Sequence, residues 1–342
     1  MAIKIFLKIF FALPIWFLRC VIFQKRIIIN NQILDFQTQV FLVLQSLQGN
    51  SFDDPNSFDS AQDLREKIEN SREGLPLNAE PHIPIKTADH LIPTEFGNLK
   101  IREYCPERVL ISSPILYFHG GGYVLGSIET HDPWLQFFSA KMGVKIFSLE
   151  YRLSPENKFP SSVLDSNRAI EWLGDKLNLP IGEISICGDS AGAHLSASLS
   201  TYRAVNNLEL PLSQCLIYPM TDPSCNSKSQ IDFAEGFFLS HKAMVWFWDQ
   251  LMDSSENLED PVFNLTIDPK VSLPKTLIIT AGFDPLSDEG EEYARLLHDA
   301  GNEVEQIHYP HLIHGFVNMT SLKAAKDATK DLLKIYKNFL KK

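Results

Sequence analysis

A chain of 342 residues is long enough to bury a complete hydrophobic core without disulfide bonds. Hydrophobic residues make up 44% and charged residues 21% of the sequence, which excludes a disordered, collagenous or fibrous protein. The net charge of −11 disfavours binding to a phosphate backbone, so no nucleic-acid partner is expected. The five cysteines, at positions 20, 105, 187, 215 and 225, have neither zinc-ligand nor CxxC spacing, which indicates a reducing compartment without a disulfide framework.

Residues 1–30 differ from the rest of the chain in charge. They carry five basic residues and no acidic one, which leaves a net charge of −16 on the remaining 312 residues. Their uncharged apolar run, from Ile9 to Leu18, is only ten residues long, whereas a spanning helix needs about 20. No small-residue cleavage site of a secretory signal follows, because Arg19 and Cys20 stand there. We therefore expect this segment to lie at a membrane interface or to pack on the fold, and export remains a third alternative.

Two helices are expected before a β-rich region begins. Apolar residues at helical spacing predict a helix over 32–48, and Ser60 with Asp63 resembles a capping box for a helix over 61–72. Residues 73–82 are predicted to be a linker. Beyond them, strands are predicted over 84–90, 98–104, 114–118, 145–149, 183–187, 213–218, 276–281 and 303–309. Helices are predicted over 132–142, 161–177, 191–206, 241–252, 288–300 and 319–340.

The alternation of strands and helices from residue 84 onward indicates an α/β fold. Several predicted strands are apolar along their whole length, as in Ile115-Leu116-Tyr117-Phe118, and such strands belong in a sheet covered on both faces. We therefore expect a mostly parallel eight-stranded sheet with helices on both sides. Residues 223–262 interrupt the alternation with an aromatic-rich helix and are predicted to be an insertion over the ligand-binding edge of the sheet.

The segment Gly188-Asp189-Ser190-Ala191-Gly192 follows a predicted strand and opens a predicted helix, which is the setting that a G-x-S-x-G nucleophile elbow requires. Small residues must flank the serine because the turn is tight, and the turn lifts the hydroxyl to the positive end of the helix dipole. Two ordinary turn glycines would give the same five-residue pattern, so the motif alone does not establish a nucleophile.

A second glycine-rich segment, His119-Gly120-Gly121-Gly122, follows the strand predicted over 114–118. Consecutive glycines leave backbone amides unshielded, and amides placed in advance stabilise the oxyanion of ester cleavage. The amides of Gly121, Gly122 and Ala191 would make a three-donor oxyanion hole. A flexible glycine loop and a phosphate-binding loop are the alternatives, but the second would require a Gly-Lys-Ser/Thr sequence that this segment does not have.

A nucleophilic serine needs a histidine base and an orienting carboxylate, which follow the serine from the ends of later strands. Asp284 comes directly after the strand predicted over 276–281, whereas Asp288 and Glu289 stand in the first turn of the next helix. His314 is the expected base, because it lies in a loop before Gly315 at the end of the last predicted strand.

Three other histidines and one acid are assigned no catalytic role. His308 is expected inside the last strand and His311 just after Pro310, and the proline prevents one helix from presenting these histidines to a metal ion, so no metal site is predicted. His194 is expected to be a packing residue one helical turn after Ser190. Asp189 is expected to make local hydrogen bonds.

In this order and at this spacing, the motifs resemble the hormone-sensitive-lipase-like family of α/β-hydrolases, which includes the bacterial family IV esterases and lipases. The resemblance covers about residues 84–342. The matching blocks are His119-Gly120-Gly121-Gly122, Tyr151-Arg152-Leu153-Ser154-Pro155-Glu156, Gly188-Asp189-Ser190-Ala191-Gly192, Asp284-Pro285-Leu286 with Asp288-Glu289-Gly290, and His314-Gly315-Phe316.

The resemblance implies ester hydrolysis without a cofactor, by a triad of Ser190, Asp284 and His314. It implies a catalytic domain over 84–342, a helical cap built from residues 31–83 and the insertion at 223–262, and a structural turn starting at Tyr151. Many members of the family have Gly-Gly-Asn where this chain has Gly192-Ala193-His194, a difference expected to alter the floor of the pocket and to leave the chemistry intact. Residues 1–30 have no counterpart in the family pattern.

The sequence therefore predicts a serine carboxylic-ester hydrolase that acts through an acyl-enzyme on small to medium apolar acyl esters. An amidase or formamidase with the same triad is an alternative, as is a non-catalytic ligand-binding or membrane-surface module. The expected location is the cytoplasm, with membrane contact through residues 1–30 left open, and the oligomeric state is not predicted. Five aromatic residues of the insertion would either line the pocket or form ordinary helix core: Phe237, Phe238, Trp246, Phe247 and Trp248.

Overall fold

The computed structural model describes residues 25–47, 60–72, 84–268 and 270–341. Two short strands, β1 (Ile28–Ile29) and β2 (Gln32–Ile33), form a hairpin near the N-terminus. The main sheet contains β3 (Ile85–Thr94), β4 (Gly97–Pro106), β5 (Ile111–Phe118), β6 (Val144–Glu150), β7 (Ser185–Asp189), β8 (Ser213–Ile217), β9 (Lys275–Phe283) and β10 (Val304–Ile313). The helices are α1 (Phe36–Leu47), α2 (Ala61–Arg72), α3 (Ile128–Met142), α4 (Ser161–Leu177), α5 (Ala191–Val205), α6 (Lys228–Asp232), α7 (His241–Leu251), α8 (Ser287–Asp299) and α9 (Lys323–Phe339).

The eight-stranded sheet has the order β10-β9-β8-β7-β5-β6-β4-β3. All neighbouring strands are parallel except β4, which pairs antiparallel with both β3 and β6. The prediction of a mostly parallel eight-stranded sheet is therefore confirmed. Because the parallel strands end at one edge, the loops after β5, β7, β9 and β10 lie on the same side of the molecule.

Alternate residues of the central strands enter different hydrophobic layers, as the period of two in a strand requires. Ile115 and Tyr117 pack in the layer that contains α3 and α9, whereas Leu116 and Phe118 pack in the layer that contains α4 and α5. Ile278 on β9 packs with α8 on the second side. Helices therefore cover both faces, and the apolar strands are buried from both sides.

The chain before α1 departs from the prediction, which started a helix at residue 32. Asn30 and Asn31 have φ values of 51° and 61°, the left-handed conformation that a two-residue hairpin turn needs. The helix begins only at Phe36, where the carboxylate of Asp35 accepts the N–H of Thr38 at 2.8 Å. Within residues 25–30, the half-buried Ile27 and Ile29 pack against the core and the others are exposed, whereas residues 1–24, the remainder of the basic N-terminal segment, lie outside the described residues, as does the linker predicted over 73–82.

Other predicted boundaries also move, and three of them are large enough to describe. The last strand was predicted to end at residue 309 but continues through Pro310 to Ile313, because β10 is an edge strand with an irregular register after Tyr309 and a missing N–H is tolerated there. The third helix starts at Ile128 rather than 132, since Ser127 caps it. The last helix starts at Lys323 rather than 319, because residues 316–318 form a separate 3-10 turn. Within the described ranges, no helix has the length and apolar character that crossing a membrane requires.

Candidate active site

Ser190 occupies the sharp turn between β7 and α5. Its backbone angles, φ 55° and ψ −118°, lie in a strained region for a residue with a side chain. A Cβ atom on Gly188 would lie 2.2 Å from the carbonyl oxygen of Gly192, and one on Gly192 would lie 2.0 Å from the carbonyl oxygen of Phe118. The two glycines are therefore required by the close approach of backbone segments, which explains the G-x-S-x-G pattern.

The structure brings Ser190, His314 and Asp284 together in one hydrogen-bonded chain. Nε2 of His314 lies 2.9 Å from Oγ of Ser190, and Nδ1 lies 2.8 Å from Oδ2 of Asp284. Asp284 is fully buried, and its Oδ1 accepts the N–H of Leu286 at 2.9 Å. An ionised carboxylate only accepts hydrogen bonds, so Nδ1 carries the imidazole proton and Nε2 accepts the hydroxyl proton of Ser190.

The glycine loop after β5 has an uncommon backbone in three consecutive residues. The φ angles of Gly121, Gly122 and Tyr123 are 123°, 61° and 63°. A Cβ on Gly121 would lie 2.3 Å from the carbonyl oxygen of Leu125, so no other residue fits there without a shift of the backbone. Gly121 and Gly122 line the same cavity as Ser190. Ala191 follows Ser190 as the first residue of α5, where an N–H has no acceptor within the helix.

His119 and Gly120 anchor the start of this loop. The ring of His119 stacks on that of Tyr151, with 4.3 Å between the ring centroids, and the hydroxyl of Tyr151 donates to the carbonyl oxygen of His119 at 2.7 Å. The N–H of Gly120 donates to Oδ1 of Asp189 at 3.0 Å. Tyr151, in the segment predicted to be structural, therefore contacts the loop directly.

The partners of Asp189 are not the local ones expected from the sequence. Its Oδ1 accepts from the hydroxyl of Tyr117 at 2.6 Å, and Tyr117 and Gly120 are 72 and 69 residues away in the chain. Nε2 of His131, which the sequence analysis did not single out, lies 3.3 Å from the same oxygen. Burial alone would raise the pKa of Asp189, but the nearby imidazole and these hydrogen bonds lower it, so the carboxylate is ionised beside Ser190.

His194 is a buried hydrogen-bonded residue, as expected. Its Nδ1 lies 2.6 Å from the hydroxyl of Tyr123, and its Nε2 lies 2.8 Å from the carbonyl oxygen of Phe263. Burial lowers its pKa to about 4, so the ring is neutral and both nitrogens are occupied. This histidine joins the glycine loop to the segment after α7, in the position where the sequence departs from Gly-Gly-Asn.

His308, which the sequence places in the last strand, is engaged by neighbouring side chains. Nδ1 of His308 contacts Oγ1 of Thr280 at 2.9 Å and a carboxylate oxygen of Glu291 at 3.0 Å. Among the residues that the structure describes, no group of three or more His, Cys, Asp or Glu side chains is arranged to hold a metal ion. The four described cysteines, Cys105, Cys187, Cys215 and Cys225, are free thiols.

A cavity of about 230 Å³ opens beside Ser190 and His314. Phe41 and Gln45 of α1 line it together with the insertion at 223–262, so both segments predicted to form the cap reach the cavity. Of the five aromatic residues of the insertion for which the sequence left a pocket or a core role open, Phe238 and Phe247 line the cavity. The others pack elsewhere: Phe237 against Phe233 and Phe283, Trp248 against His194 and Phe263, and Trp246 against Phe247.

Comparison with known proteins places this geometry in a family. A family model described as alpha/beta hydrolase fold matches residues 115–318. The carboxylic ester hydrolase LipN of Mycobacterium tuberculosis is 34% identical over 71% of this chain and 67% of its own length. Ethyl acetate hydrolase of Pseudomonas putida is 31% identical over 77% of this chain and 85% of its own.

Solved structures agree with these sequence relatives. A hyperthermophilic esterase from the archaeon Pyrobaculum calidifontis superposes with a TM-score of 0.79 at 31% identity, covering 90% of this chain and 98% of the esterase. The predicted fold class, the predicted family and the prediction of a hydrolase are confirmed by these comparisons. The chain therefore belongs to the α/β-hydrolase fold family, in the hormone-sensitive-lipase-like group of esterases.

Proposed function

We propose that this protein hydrolyses carboxylic esters through an acyl-enzyme formed on Ser190. The proposal rests on the hydrogen-bonded chain from Ser190 through His314 to Asp284, with contacts of 2.9 Å and 2.8 Å beside an apolar cavity. The relatives named as ester hydrolases support the same reaction class.

In the first half of the reaction, His314 takes the hydroxyl proton of Ser190 as Oγ attacks the ester carbonyl carbon. Asp284 holds the imidazole in the tautomer that accepts this proton and stabilises the imidazolium that forms. The amides of Gly121, Gly122 and Ala191 receive the oxyanion, and one such donor lowers the barrier by about 3–4 kcal/mol. His314 then protonates the departing alcohol.

In the second half, water replaces the alcohol. His314 takes a proton from the water as its oxygen attacks the acyl-enzyme carbonyl, and the same amides receive the second oxyanion. When the intermediate collapses, His314 returns the proton to Oγ of Ser190 and the carboxylic acid is released. Apart from the ester and water, each step uses only groups of the chain, so the proposed reaction needs no cofactor.

The cavity supports small to medium apolar acyl esters as the substrate class. Its volume of about 230 Å³ is below the roughly 300–1,000 Å³ of pockets for drug-sized ligands. Its walls include side chains of Phe41, Met220, Phe238, Met244 and Phe247, which favour uncharged acyl groups. One relative is named an ethyl acetate hydrolase, and ethyl acetate is a small uncharged ester.

Hydrolysis of p-nitrophenyl butanoate by wild type and by Ser190→Ala tests the proposal. We expect the variant to lose about 10³-fold or more of kcat and to stop reacting with a fluorophosphonate probe, with an unchanged melting temperature. Ser196→Ala is the matched control, because Ser196 is a buried serine on the same helix whose hydroxyl donates to the carbonyl oxygen of Gly192 at 2.9 Å. Retained turnover in Ser190→Ala would remove this residue from the nucleophile role, and faster hydrolysis of the matched anilide would favour the amidase alternative.

A lipid surface and a cytoplasmic location are proposed from the sequence of the N-terminal segment and from the cysteine pattern. Residues 1–30 combine a charge of +5 with the apolar run from Ile9 to Leu18, a composition typical of interfacial anchors. Flotation of the full chain with anionic phosphatidylserine vesicles should exceed that of a chain lacking residues 1–24. Equal flotation of the two proteins would contradict membrane contact through this segment.

A further inference from the structure

Backbone hydrogen bonds within the loop close the segment that contains Gly121 and Gly122, and a side chain of another segment holds this loop in place. The carbonyl oxygen of Gly121 accepts the N–H groups of Val124 and Leu125 at 3.1 and 2.8 Å, which folds the loop back on itself. Tyr123, which lies between Gly122 and Val124, has a φ of 63°, a conformation that the surroundings must impose on a residue with a side chain. The orientation of the two glycine amides therefore depends on what fixes residues 123–125.

Arg65 of α2 provides the outer attachment. Its Nε donates to the carbonyl oxygen of Val124 at 2.7 Å, and its Nη2 donates to the carbonyl oxygen of Ser154 at 2.6 Å. Nη1 and Nη2 also donate to the two carboxylate oxygens of Glu156 at 2.9 and 2.8 Å. One planar guanidinium thus joins the end of the loop to the segment 151–156, and Ser154 in turn donates its N–H to the carbonyl oxygen of Tyr123 at 2.9 Å.

Helix α2 also packs behind the loop. Leu64, next to Arg65, is buried in the same hydrophobic cluster as Tyr123 and Val124. Arg65 itself keeps 20% of its side chain exposed, and Glu156 keeps 53%. An ion pair with this much solvent exposure contributes little to the free energy of unfolding. The main effect of Arg65 is therefore geometric, because its hydrogen bond fixes the position of the carbonyl group of Val124. Hydrogen bonding to Arg65 holds the pKa of Glu156 below its usual range, so the partner stays ionised.

We propose that Arg65 is a positioning residue of the oxyanion hole, through which helix α2 influences the reactivity of the site. The inference rests on the proposed esterase function, because it assigns a role to amides that act only during that reaction. A guanidinium offers a rigid fork of donors, so it fixes the carbonyl of Val124 relative to the backbone at 154–156. Loss of the fork removes the attachment of the carbonyl group of Val124, and the amides of Gly121 and Gly122 then lose part of their alignment with the oxyanion.

The alternative is that Arg65 only anchors α2, and the two roles differ in which bound species they affect. A positioning role changes binding of the tetrahedral species more than binding of the ground state. A trifluoromethyl ketone forms a tetrahedral adduct with a nucleophilic serine, whereas the corresponding trifluoromethyl alcohol has no carbonyl and binds only as a ground-state ligand. The pair of inhibitors therefore separates alignment of the amides from general binding.

Wild type, Arg65→Met, Arg65→Lys and the control Arg295→Met are compared with p-nitrophenyl butanoate and both inhibitors. Arg295 is also a helical arginine in two ion pairs, with Glu292 and Asp299, but it lies on α8. We expect Arg65→Met to lower kcat and to weaken the ketone by about tenfold or more each, since a whole oxyanion donor is worth about 10²–10³. KM and inhibition by the alcohol should change less than about threefold, Arg65→Lys should fall between, and Arg295→Met should match wild type.

Equal losses for ketone and alcohol, or a lower melting temperature with unchanged kcat, would overturn the inference and leave Arg65 as an anchor. If Arg65→Met does not fold, Glu156→Gln and Arg65→Lys carry the same comparison, and unchanged ketone affinity in both would overturn it. Wild-type activity is measured first, because absence of ester hydrolysis by wild type would instead refute the proposed function.

Discussion

Oδ1 of Asp189 accepts the backbone N–H of Gly120 at 3.0 Å. Asp189 directly precedes the candidate nucleophile Ser190, and Gly120 directly precedes the two glycines of the candidate oxyanion hole. The approach is close, because a Cβ on Gly120 would lie 2.7 Å from Oδ2 of the same carboxylate. Tyr117 and His131 contact the same Oδ1, which compensates the burial of a negative charge. The elbow and the loop are therefore joined by one side chain.

Asp189→Ala should disturb both the loop and the stability of the fold. The change leaves the N–H of Gly120 and the hydroxyl of Tyr117 without an acceptor, at a cost of about 1–3 kcal/mol for each buried group. Asp189→Asn retains an amide oxygen that can accept from Gly120. We expect kcat for p-nitrophenyl butanoate to fall at least about tenfold in the alanine variant and less in the asparagine variant. An alanine variant that unfolds like wild type and keeps its kcat would contradict this account.

Phe247 should limit the length of the acyl group. Its ring lines the cavity and lies so close to Gly122 that a Cβ on Gly122 would be 2.2 Å from the ring carbons. Phe247→Ala removes this wall, so esters with longer acyl chains should gain in kcat/KM relative to acetate. The measurement is a series of p-nitrophenyl esters from acetate to dodecanoate. Phe237→Ala is the control, because Phe237 is a buried phenyl of the same insertion that packs against Phe233 and Phe283, and it should leave the ranking of the series unchanged.

His194 should make the protein less stable in mild acid. Its folded-state pKa is lowered to about 4, whereas the unfolded chain has the ordinary value near 6.5. Above pH 6.5 the ring is neutral in both states; as the pH falls towards 4, only the unfolded chain gains the proton. The free energy of unfolding therefore loses about 3 kcal/mol through this group between pH 6.5 and pH 4.

Denaturant unfolding of wild type and His194→Gln at several pH values measures this effect. The variant is expected to be less stable at pH 7, because the hydrogen bonds to Tyr123 and Phe263 are lost or weakened. The difference between the two proteins should shrink as the pH is lowered, since only wild type carries the titrating ring. A difference that stays constant from pH 7 to pH 4 would contradict the lowered pKa of His194.

The parts of the fold that could be predicted from the sequence depend on local signals. The capping box at Ser60 predicts α2 with its observed ends, the range predicted for α4 also matches, and the order of strands predicts that Ser190, Asp284 and His314 follow strands that end at one edge of the sheet. The hairpin at 28–33 was missed because Ile33 and Leu34 also fit a helical pattern. Pro310 suggested a strand end, yet an edge strand tolerates it.

Contacts between distant segments could not be predicted in this way. No local sequence pattern indicates that Arg65 contacts Val124 or that His131 contacts Asp189. A polar side chain on the surface of a helix can pair with many different groups, and the local sequence does not select one of them. Both contacts arise only after α2 and α3 pack beside the glycine loop. The residues that could react were thus readable from motifs, whereas the residues that hold them in place required the tertiary structure.

Asp284→Asn should trap the imidazole of His314 in the wrong tautomer. The N–H of Leu286 donates to Oδ1 of Asp284 at 2.9 Å, so an asparagine at this position keeps its oxygen there and turns its NH₂ group towards Nδ1 of His314. Nδ1 must then accept a hydrogen bond, and the ring proton moves to Nε2, which faces Ser190. A protonated Nε2 does not take the hydroxyl proton. We expect kcat to fall by about 10⁴ with little change in KM, as measured with p-nitrophenyl butanoate.

Asp288→Asn is the matched control for that prediction, because Asp288 is a nearby aspartate that stands in the first turn of the next helix. Its Oδ2 accepts the N–H of Ser229 at 2.8 Å, so this carboxylate serves the start of α8 and the insertion. The control should keep kcat within about threefold of wild type, because Asp288 takes no part in oxyanion binding or in proton transfer in the proposed reaction. Nitrogen-15 NMR of the His314 ring distinguishes the tautomers directly, and the proton should reside on Nδ1 in wild type and on Nε2 in Asp284→Asn. A proton on Nδ1 in both proteins, or a larger loss in Asp288→Asn than in Asp284→Asn, would contradict the assignment of Asp284 as the orienting acid.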